Sequence, residues 1–322
     1  MVFLEVSPSP QKFDDPEWTA KGERRASVPL VRLQTLWMNT GTLCNITCRN
    51  CYIDSSPQND RLAYLSADDA APFLDEALSL GTREIGFTGG EPFLNPEILP
   101  ILESALSRDL DVLVLTNAML PMQRPRLKDG LAALQAAYGG RLTMRVSLDH
   151  FTQELHETER GAGTWDKALA GVDWLAAAGF RLAVAGRTCW GESESTARAG
   201  YARLFAERSW PIDATDTHAL ILFPEMDGTD DVPEISTACW GLLKKQPSQM
   251  MCASSRMVVK RRGADRAVVV PCTLLPYDEA FEMGATLAES ATADGGMFNQ
   301  GAVRLCHPHC ARFCVLGGGS CS

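Results

Sequence analysis

Residues 43–52 read Leu-Cys-Asn-Ile-Thr-Cys-Arg-Asn-Cys-Tyr, and residues 89–92 read Gly-Gly-Glu-Pro at the end of an apolar run. The first stretch spaces Cys44, Cys48 and Cys51 as C-x3-C-x2-C. Three thiolates on one short loop can each bind one iron of a cubane iron-sulfur cluster, whereas a fully protein-ligated cluster takes four cysteines. The spacing therefore predicts a cluster with one iron left open for a substrate or cofactor.

These two motifs together resemble the radical S-adenosylmethionine (SAM) superfamily. In that family the cysteine loop holds a 4Fe-4S cluster, and the Gly-Gly-Glu-Pro strand end binds the methionyl amine of SAM. The resemblance implies that SAM is cleaved reductively to a 5′-deoxyadenosyl radical, which abstracts a hydrogen atom. It assigns the cluster to Cys44, Cys48 and Cys51, and SAM binding to Gly89, Gly90, Glu91 and Pro92.

Each motif also has a simpler interpretation. Zinc prefers four tetrahedral ligands, commonly supplied as two separated pairs, and no partner pair lies near residues 44–51. The glycine pair alone is also typical of a turn before a helix that starts at Pro96. The co-occurrence of both motifs favours the iron-sulfur interpretation.

Composition restricts the class of protein. The 322 residues are 45% hydrophobic and 22% charged, which is typical of a soluble globular chain. A formal net charge of −10 disfavours a nucleic-acid partner. Residues 1–6 show neither a secretory signal nor a membrane span, so we expect a cytoplasmic protein without a membrane partner. Its eleven cysteines are then expected to bind metal rather than to form disulfides.

Between residues 31 and 227 short apolar runs alternate with helical patterns, which indicates repeated βα units and a parallel sheet. The predicted strands are 31–38, 84–88, 111–116, 142–148, 181–188 and 219–223, and the predicted helices are 68–80, 96–108, 127–138, 165–178 and 195–207. The resemblance implies an α/β fold with a partial (β/α)6 TIM-like barrel. The predicted domains are an N-terminal arm (1–29), the barrel (30–235) and a small cysteine-rich β-hairpin/helix extension (236–322).

Further candidate residues follow the predicted strands, where open parallel sheets place their binding sites. Ser147-Leu148-Asp149 resembles a Ser-Leu-Asp segment of the family whose side chains reach the ribose and carboxylate of SAM, which implies a SAM-binding role for Ser147 and Asp149. Asn117 matches a Thr-Asn-Gly turn except that Ala118 replaces glycine, and a simple turn asparagine is an equal alternative.

The next strand contributes Arg187 and Cys189, which share one face. Arg187 can pair with a carboxylate such as that of SAM. Cys189 is a candidate hydrogen donor to a substrate radical, although a lone cysteine is more often a small buried hydrophobe. Family members usually have an aromatic residue before the third cysteine to pack near adenine, and here Asn50 stands there, with Tyr52 as a substitute.

A second group of cysteines lies beyond the predicted barrel. The strands around 252–260 and 267–272 are joined by a turn and form a predicted hairpin that brings Cys252 and Cys272 together. This part resembles the SPASM or twitch extension of radical SAM enzymes, which binds auxiliary 4Fe-4S clusters. The candidate ligands are Cys252, Cys272, Cys306, Cys310, Cys314 and Cys321. The resemblance implies at least one auxiliary 4Fe-4S cluster, ligated by Cys252, Cys272 and two of the tail cysteines. Two clusters and a zinc site are the alternatives, Cys239 is either a spare ligand or a core residue, and His307 or His309 can replace a thiolate.

The leading functional hypothesis is a radical SAM oxidoreductase or modifying enzyme acting on a small molecule, in a net oxidation or bond-forming step assisted by an auxiliary cluster. Its expected partners are the substrate and a reductant such as flavodoxin or ferredoxin. A maturase of a ribosomally made peptide is the first alternative, disfavoured because only about thirty residues precede the first predicted strand. A non-catalytic iron-sulfur or zinc protein is the alternative of another class.

Overall fold

The fold is taken from a computed structural model, which describes residues 11–224 and 231–317. Its strands are β1 (Ser27–Val28), β2 (Thr35–Asn39), β3 (Glu84–Thr88), β4 (Asp111–Thr116), β5 (Leu142–Ser147), β6 (Arg181–Arg187), β7 (Leu220–Phe223), β8 (Ser255–Val259), β9 (Val268–Val270), β10 (Phe298–Asn299) and β11 (Ala302–Arg304). Its α-helices are α1 (Ala67–Ser79), α2 (Ile98–Leu106), α3 (Pro125–Tyr138), α4 (Gln153–Arg160), α5 (Trp165–Ala177), α6 (Glu194–Glu207), α7 (Cys239–Leu243) and α8 (Leu287–Thr292).

The main sheet has the order β7-β6-β5-β4-β3-β2-β8-β9. Each neighbouring pair from β7 to β2 is parallel, and the helices α1, α2, α3, α5 and α6 form the crossovers between successive strands. Both faces are covered, as the fully buried β2 shows. The structure thus confirms an α/β fold with a parallel sheet, while its description as a partial barrel stays a prediction.

Local sequence signals account for where the elements begin and end. Ser66 accepts a hydrogen bond from the Asp69 backbone N–H, and the Asp69 carboxylate accepts one from the Ser66 N–H, which forms a capping box at the start of α1. The six predicted strands and five predicted helices all lie at their expected places. α4 was not predicted, because eight largely polar residues show no apolar periodicity.

The predicted hairpin is present as β8 and β9, and it continues the main sheet. β8 pairs parallel with β2, in the register Thr35 to Ser255, and β9 pairs antiparallel with β8. A second sheet, β1-β11-β10, joins the two ends of the described chain. Arg25 and Glu234 form a buried ion pair, in which a guanidinium nitrogen lies 2.6 Å from a carboxylate oxygen. The division at residues 29 and 235 stays a prediction.

The parallel strands β2 to β6 end at one edge of the sheet, so the segments that follow them converge. These segments are the cysteine loop after Asn39, the glycines after Thr88, Asn117, Asp149 and the loop after Arg187. No helix among the described residues is both long and apolar enough to cross a membrane.

Candidate functional site

The three motif cysteines lie together in one cavity at the carboxyl edge of the sheet, called here the cofactor cavity. Cys44 is buried, and Cys48 and Cys51 are half-buried. The cavity is lined by Cys44, Cys48, Cys51, Tyr52, Ile53, Ser55, Thr88, Gly89, Gly90, Leu115, Thr116, Asn117, Ser147, Arg160 and Arg187. The fold therefore gathers most of the residues that the sequence assigned to the cluster and to SAM.

Backbone hydrogen bonds hold the cysteine loop in place. The Cys44 N–H donates to the Ser56 carbonyl at 3.1 Å, and the Arg49 N–H donates to the Glu159 carbonyl of α4 at 2.8 Å. The Ser55 N–H donates to the Cys51 sulfur at 3.3 Å. Burial raises the pKa of the Cys44 thiol to about 12, so a bound cation is what would keep it deprotonated.

Gly89 and Gly90 lie against the backbone of the cysteine loop. A β-carbon on Gly90 would lie 2.2 Å from the Leu43 carbonyl oxygen, and one on Gly89 would lie 2.4 Å from the Gly41 carbonyl oxygen. Gly89 also has φ +141°. The structure places both glycines against the cysteine loop, where a side chain on either of them would not fit.

Glu91 is buried and its carboxylate bonds within the protein. It accepts hydrogen bonds from the Thr116 hydroxyl at 2.8 Å and from the Asn117 backbone N–H at 2.9 Å. Burial raises its pKa to about 7 despite these donors. Neither Glu91 nor the buried Pro92 lines the cofactor cavity. Of the Gly-Gly-Glu-Pro residues, Gly89 and Gly90 are therefore the two that line it. Glu91 instead joins the β3 and β4 ends.

Asn117 lines the cavity beside the cysteine loop. Its side-chain amide donates to the Asn45 oxygen at 2.9 Å, and its own oxygen accepts from the Met119 N–H. The next residue, Ala118, has φ +57°, a left-handed conformation that explains why glycine is the usual residue of this turn. Asn117 therefore both shapes the turn and contacts the loop.

Asp149 lies in a buried ion cluster with two arginines. Its carboxylate is 2.7 Å from Arg160 Nε and 3.4 Å from Arg187 Nε. Burial opposes ionisation, but the two guanidinium charges hold the pKa of Asp149 below its usual range. Arg187 also donates to the Asn50 carbonyl at 2.7 Å, which ties the cluster to the cysteine loop.

Asp149→Asn is expected to lower the free energy of unfolding by about 3–5 kcal/mol, because it removes the carboxylate that pairs with the buried Arg160 and leaves Arg187 with the more distant carboxylate of Glu159, at 3.9 Å. The matched control is Asp75→Asn. Asp75 is 65% exposed and pairs with Arg108, so a loss below about 1 kcal/mol is expected there. Urea unfolding of both variants is the measurement, and equal losses would contradict this account.

Arg160 lines the cofactor cavity with the three cysteines, although the sequence analysis did not single it out. It is the last residue of α4 and is followed by Gly161, and this Arg-Gly pair was the available signal. Tyr52 also lines the cavity and bonds to the Thr88 hydroxyl at 3.0 Å, whereas Cys189 is absent from the described lining residues.

A second cavity, called here the chamber, adjoins the first. Its lining comprises Tyr52, Leu115, Arg145, Ser147, Asp149, Arg160, Ala185, Gly186, Arg187, Phe223, Pro224, Met251, Leu274 and Phe313. Ser147, Arg160 and Arg187 line both cavities. The chamber is thus the space into which a molecule beside the cofactor cavity would extend.

A third cavity, the cysteine pocket, lies on the other side of the chamber and shares Met251 and Leu274 with it. Its thiol-bearing and imidazole-bearing lining residues are Cys252, Cys272, His309, Cys310 and Cys314. Burial raises the pKa of Cys310 well above its usual value, and neighbouring thiolates, first that of Cys272, add to the effect.

The remaining tail cysteines are placed differently. The Cys306 thiol lies 3.1 Å from the Phe13 carbonyl oxygen and does not line the cysteine pocket, and Cys321 lies outside the described residues. Within the described ranges, no group of three or more His, Cys, Asp and Glu side chains is arranged to hold a metal ion. A cubane cluster differs from a single ion, because each of its irons takes its own thiolate.

The charge of Arg256 shows whether the cysteine pocket suits a negatively charged iron-sulfur cluster. It is fully buried, and its guanidinium donates to the carbonyl oxygens of Cys252 at 2.6 Å and Ser255 at 2.8 Å. Its Nε makes no hydrogen bond among the described residues, and the charged neighbours that affect its pKa are Cys252 and Cys272 rather than a carboxylate. Burial lowers its pKa, which thiolates at Cys252 and Cys272 would oppose. A buried cation of this kind fits an anionic, thiolate-ligated group beside it.

Comparisons with known proteins agree with this geometry. Residues 38–191 match the family model described as the radical SAM superfamily. The AdoMet-dependent heme synthase of Methanosarcina barkeri (strain Fusaro / DSM 804) is 30% identical over 138 residues, which are 42% of this chain and 37% of that protein. The mycofactocin maturase MftC of Mycobacterium ulcerans (strain Agy99) is 30% identical over 137 residues, 42% of this chain and 35% of that protein. The chain thus spans little more than a third of these curated relatives, and both are enzymes.

A solved structure extends the likeness in fold beyond the matched family segment. SuiB from Streptococcus suis, bound to its precursor peptide SuiA, has a TM-score of 0.60 with 13% identity, covering 83% of this chain and 66% of that chain. At that identity the likeness concerns the fold alone.

Proposed function

Because residues 38–191 form a radical SAM domain, we propose that this chain binds a 4Fe-4S cluster and SAM in the cofactor cavity and modifies a substrate held in the chamber. The observation that carries the proposal is the convergence of Cys44, Cys48 and Cys51 with Gly89 and Gly90 in one cavity. When bound, the reduced cluster supplies the electron that cleaves SAM. The residues of the chain would bind the cluster and SAM and orient SAM toward the substrate.

Eight of the residues that line the cofactor cavity have a task in this proposal. The three thiolates hold three irons, and strand-end carbonyls at the glycine pair accept hydrogen bonds from the SAM ammonium group. Ser147, Arg160 and Arg187 offer hydroxyl and guanidinium donors to the ribose and carboxylate of SAM. Asp149 acts through Arg160 and Arg187, since its carboxylate positions both. Cys189 as a hydrogen donor stays a prediction.

The anaerobic test has two readouts. After reconstitution with iron and sulfide and reduction by dithionite, we expect an electron paramagnetic resonance (EPR) signal of a reduced 4Fe-4S cluster that changes on addition of SAM. The second readout is the accumulation of 5′-deoxyadenosine after SAM is added. A cluster signal that SAM leaves unchanged, together with no 5′-deoxyadenosine, would instead support the non-catalytic iron-sulfur alternative.

The proposed substrate is a small molecule, and a peptide is the second candidate. The chamber, bounded by side chains such as Phe223, Met251, Leu274 and Phe313, supports a compact substrate. The fold likeness to SuiB, which was solved in complex with the precursor peptide SuiA, favours the peptide alternative. We also propose a cytoplasmic location and a flavodoxin or ferredoxin as reductant.

We further propose one auxiliary 4Fe-4S cluster in the cysteine pocket, ligated by Cys252, Cys272, Cys310 and Cys314. The buried Arg256 supports it, since the cluster and its thiolates would supply the missing negative charge. Cys306 falls outside this ligand set because its thiol bonds to the Phe13 carbonyl. The cluster would assist a net oxidation or a bond-forming step by accepting an electron.

Cys310→Ser is expected to remove the auxiliary cluster, and with it about four irons per chain. Cys306→Ser is the matched control, from the same tail, and is expected to keep wild-type iron content. Iron and sulfide analysis with Mössbauer spectroscopy measures both. Equal iron loss in the two variants would contradict the assigned ligand set, and no loss in either would contradict the auxiliary cluster.

A further inference from the structure

Ser55 lines the cofactor cavity, and its side chain has no task in the proposed binding of SAM. The residue is 3% exposed, and its hydroxyl oxygen is buried without a hydrogen-bond partner among the described residues. Most buried polar groups in proteins are hydrogen-bonded, and an unsatisfied one costs free energy. A buried, unsatisfied hydroxyl in the wall of a cofactor cavity therefore indicates a partner that belongs to the cofactor.

A tight turn brings Ser55 back onto Cys51. The Asp54 N–H donates to the Cys51 carbonyl oxygen at 3.0 Å, and Asp54 has a φ of +51°. The Ser55 N–H then donates to the Cys51 sulfur at 3.3 Å. By standard bond lengths a serine hydroxyl oxygen lies within about 4 Å of its own backbone nitrogen. The Ser55 hydroxyl is thus in the part of the cavity next to Cys51.

A tyrosine from the C-terminal part of the chain holds this turn in place. The Tyr277 hydroxyl donates to the Ile53 carbonyl oxygen at 2.6 Å and accepts from the Asn59 side-chain amide at 3.0 Å. The same amide donates to the Asp54 carbonyl oxygen at 2.9 Å. Two carbonyls of the turn are therefore bonded, which stabilises the left-handed backbone at Asp54 and fixes the place of Ser55.

Hydrogen bonds to sulfur change the reduction potential of an iron-sulfur cluster. A reduced cluster carries one more negative charge than its oxidised form, so donors beside its sulfurs stabilise the reduced form and raise the potential. The Ser55 N–H already supplies one donor to the Cys51 sulfur. Its hydroxyl would supply a second donor to the same part of the cluster.

We propose that Ser55 raises the reduction potential of the SAM-cleaving cluster, its N–H donating to the Cys51 sulfur and its hydroxyl to a sulfur atom of the cluster. Ser55 is the residue of the turn that touches the cofactor, and Tyr277 is a positioning residue that holds the turn. This inference rests on the proposed function, because it concerns the cluster of that same site.

The test is a redox titration of the cluster-loaded protein, followed by EPR. The signal that changes on addition of SAM identifies the cluster, and its potential is then titrated without SAM. Ser55→Ala removes the hydroxyl and keeps the N–H. We expect its equilibrium constant for reduction to fall about three- to tenfold, which for a one-electron couple is a shift of about 28–59 mV to more negative potential.

Two further variants serve as comparisons. Ser55→Thr keeps the hydroxyl and is expected to stay near the wild-type potential. Ser290→Ala removes a hydroxyl that is equally buried, at 1% exposed, but donates to the Leu287 carbonyl oxygen at 2.7 Å. Ser290 lines none of the three cavities, so its loss is expected to leave the potential unchanged.

An unchanged potential in Ser55→Ala, or an equal fall in Ser290→Ala, would overturn the inference. If Ser55→Ala binds no cluster, Ser55→Thr decides: a cluster at the wild-type potential supports the hydroxyl contact, and a missing or shifted cluster overturns it. A wild-type potential with a lost SAM response in Ser55→Ala would assign the hydroxyl to SAM, which overturns the inference and leaves the proposed function standing. A wild-type cluster that does not respond to SAM would overturn the proposed function itself.

Discussion

Replacing Cys48 with alanine is expected to reduce SAM cleavage to the background rate and to erase the EPR signal that responds to SAM. Cys48 lines the cofactor cavity and supplies one of three protein ligands to the proposed cluster. A cubane with two protein ligands loses an iron and does not keep an open, SAM-binding iron in a fixed position. Measurement of 5′-deoxyadenosine over time, under anaerobic reduction, gives the rate.

Cys239→Ala is the control for this loss. Cys239 is half-buried at the start of α7, with its sulfur 3.7 Å from the Ser236 hydroxyl, and it lines none of the three cavities. Cleavage close to the wild-type rate is expected. If Cys48→Ala still cleaved SAM, or if Cys239→Ala abolished cleavage, the proposed cluster site would be wrong.

Gly90→Ala is expected to have the largest effect of any single methyl group added to the site. The new β-carbon would lie 2.2 Å from the Leu43 carbonyl oxygen and 2.5 Å from its carbon, so backbone would have to move. Leu43 immediately precedes Cys44, and its carbonyl accepts the Glu91 N–H at 3.1 Å. We expect a loss of about 3 kcal/mol or more in unfolding free energy, with displacement of the cysteine loop.

Gly140→Ala is the matched control, since nothing lies within 4 Å of a β-carbon there. Its expected effect is within about 0.5 kcal/mol. Unfolding curves and bound iron after reconstitution are measured for both variants. A Gly90→Ala protein with wild-type stability and iron content would contradict this account of the contact between Gly90 and the cysteine loop.

The sequence predicted the parts of the fold that repeat a local pattern. The strands β2 to β7 are short apolar runs that alternate with helices, and the polar residues after them had to converge because parallel strands end at one edge. The cysteine loop, the glycine pair, Asn117 and Ser147 therefore lie in one cavity as expected.

Features that depend on long-range packing could not be predicted in this way. Alternation in residues 252–272 indicated a hairpin but not that β8 would pair with β2, because either edge of a sheet can accept a strand. The contact between the glycine pair and the cysteine loop was not predicted, because the loop residues that the glycines touch are almost fifty residues away in sequence. α4 was missed because among its residues only His156 and Glu159 are buried.

The pairing of β8 with β2 makes the two cysteine-bearing regions parts of one cooperative unit. Ending the chain by truncation after residue 235 would strip hydrogen bonds from the strand that precedes the cysteine loop and turn a central strand into an exposed border. Such a fragment is prone to self-association through that border. Joining the C-terminal part of this chain to the parallel sheet of another protein would then require the contact between the two strands to be rebuilt.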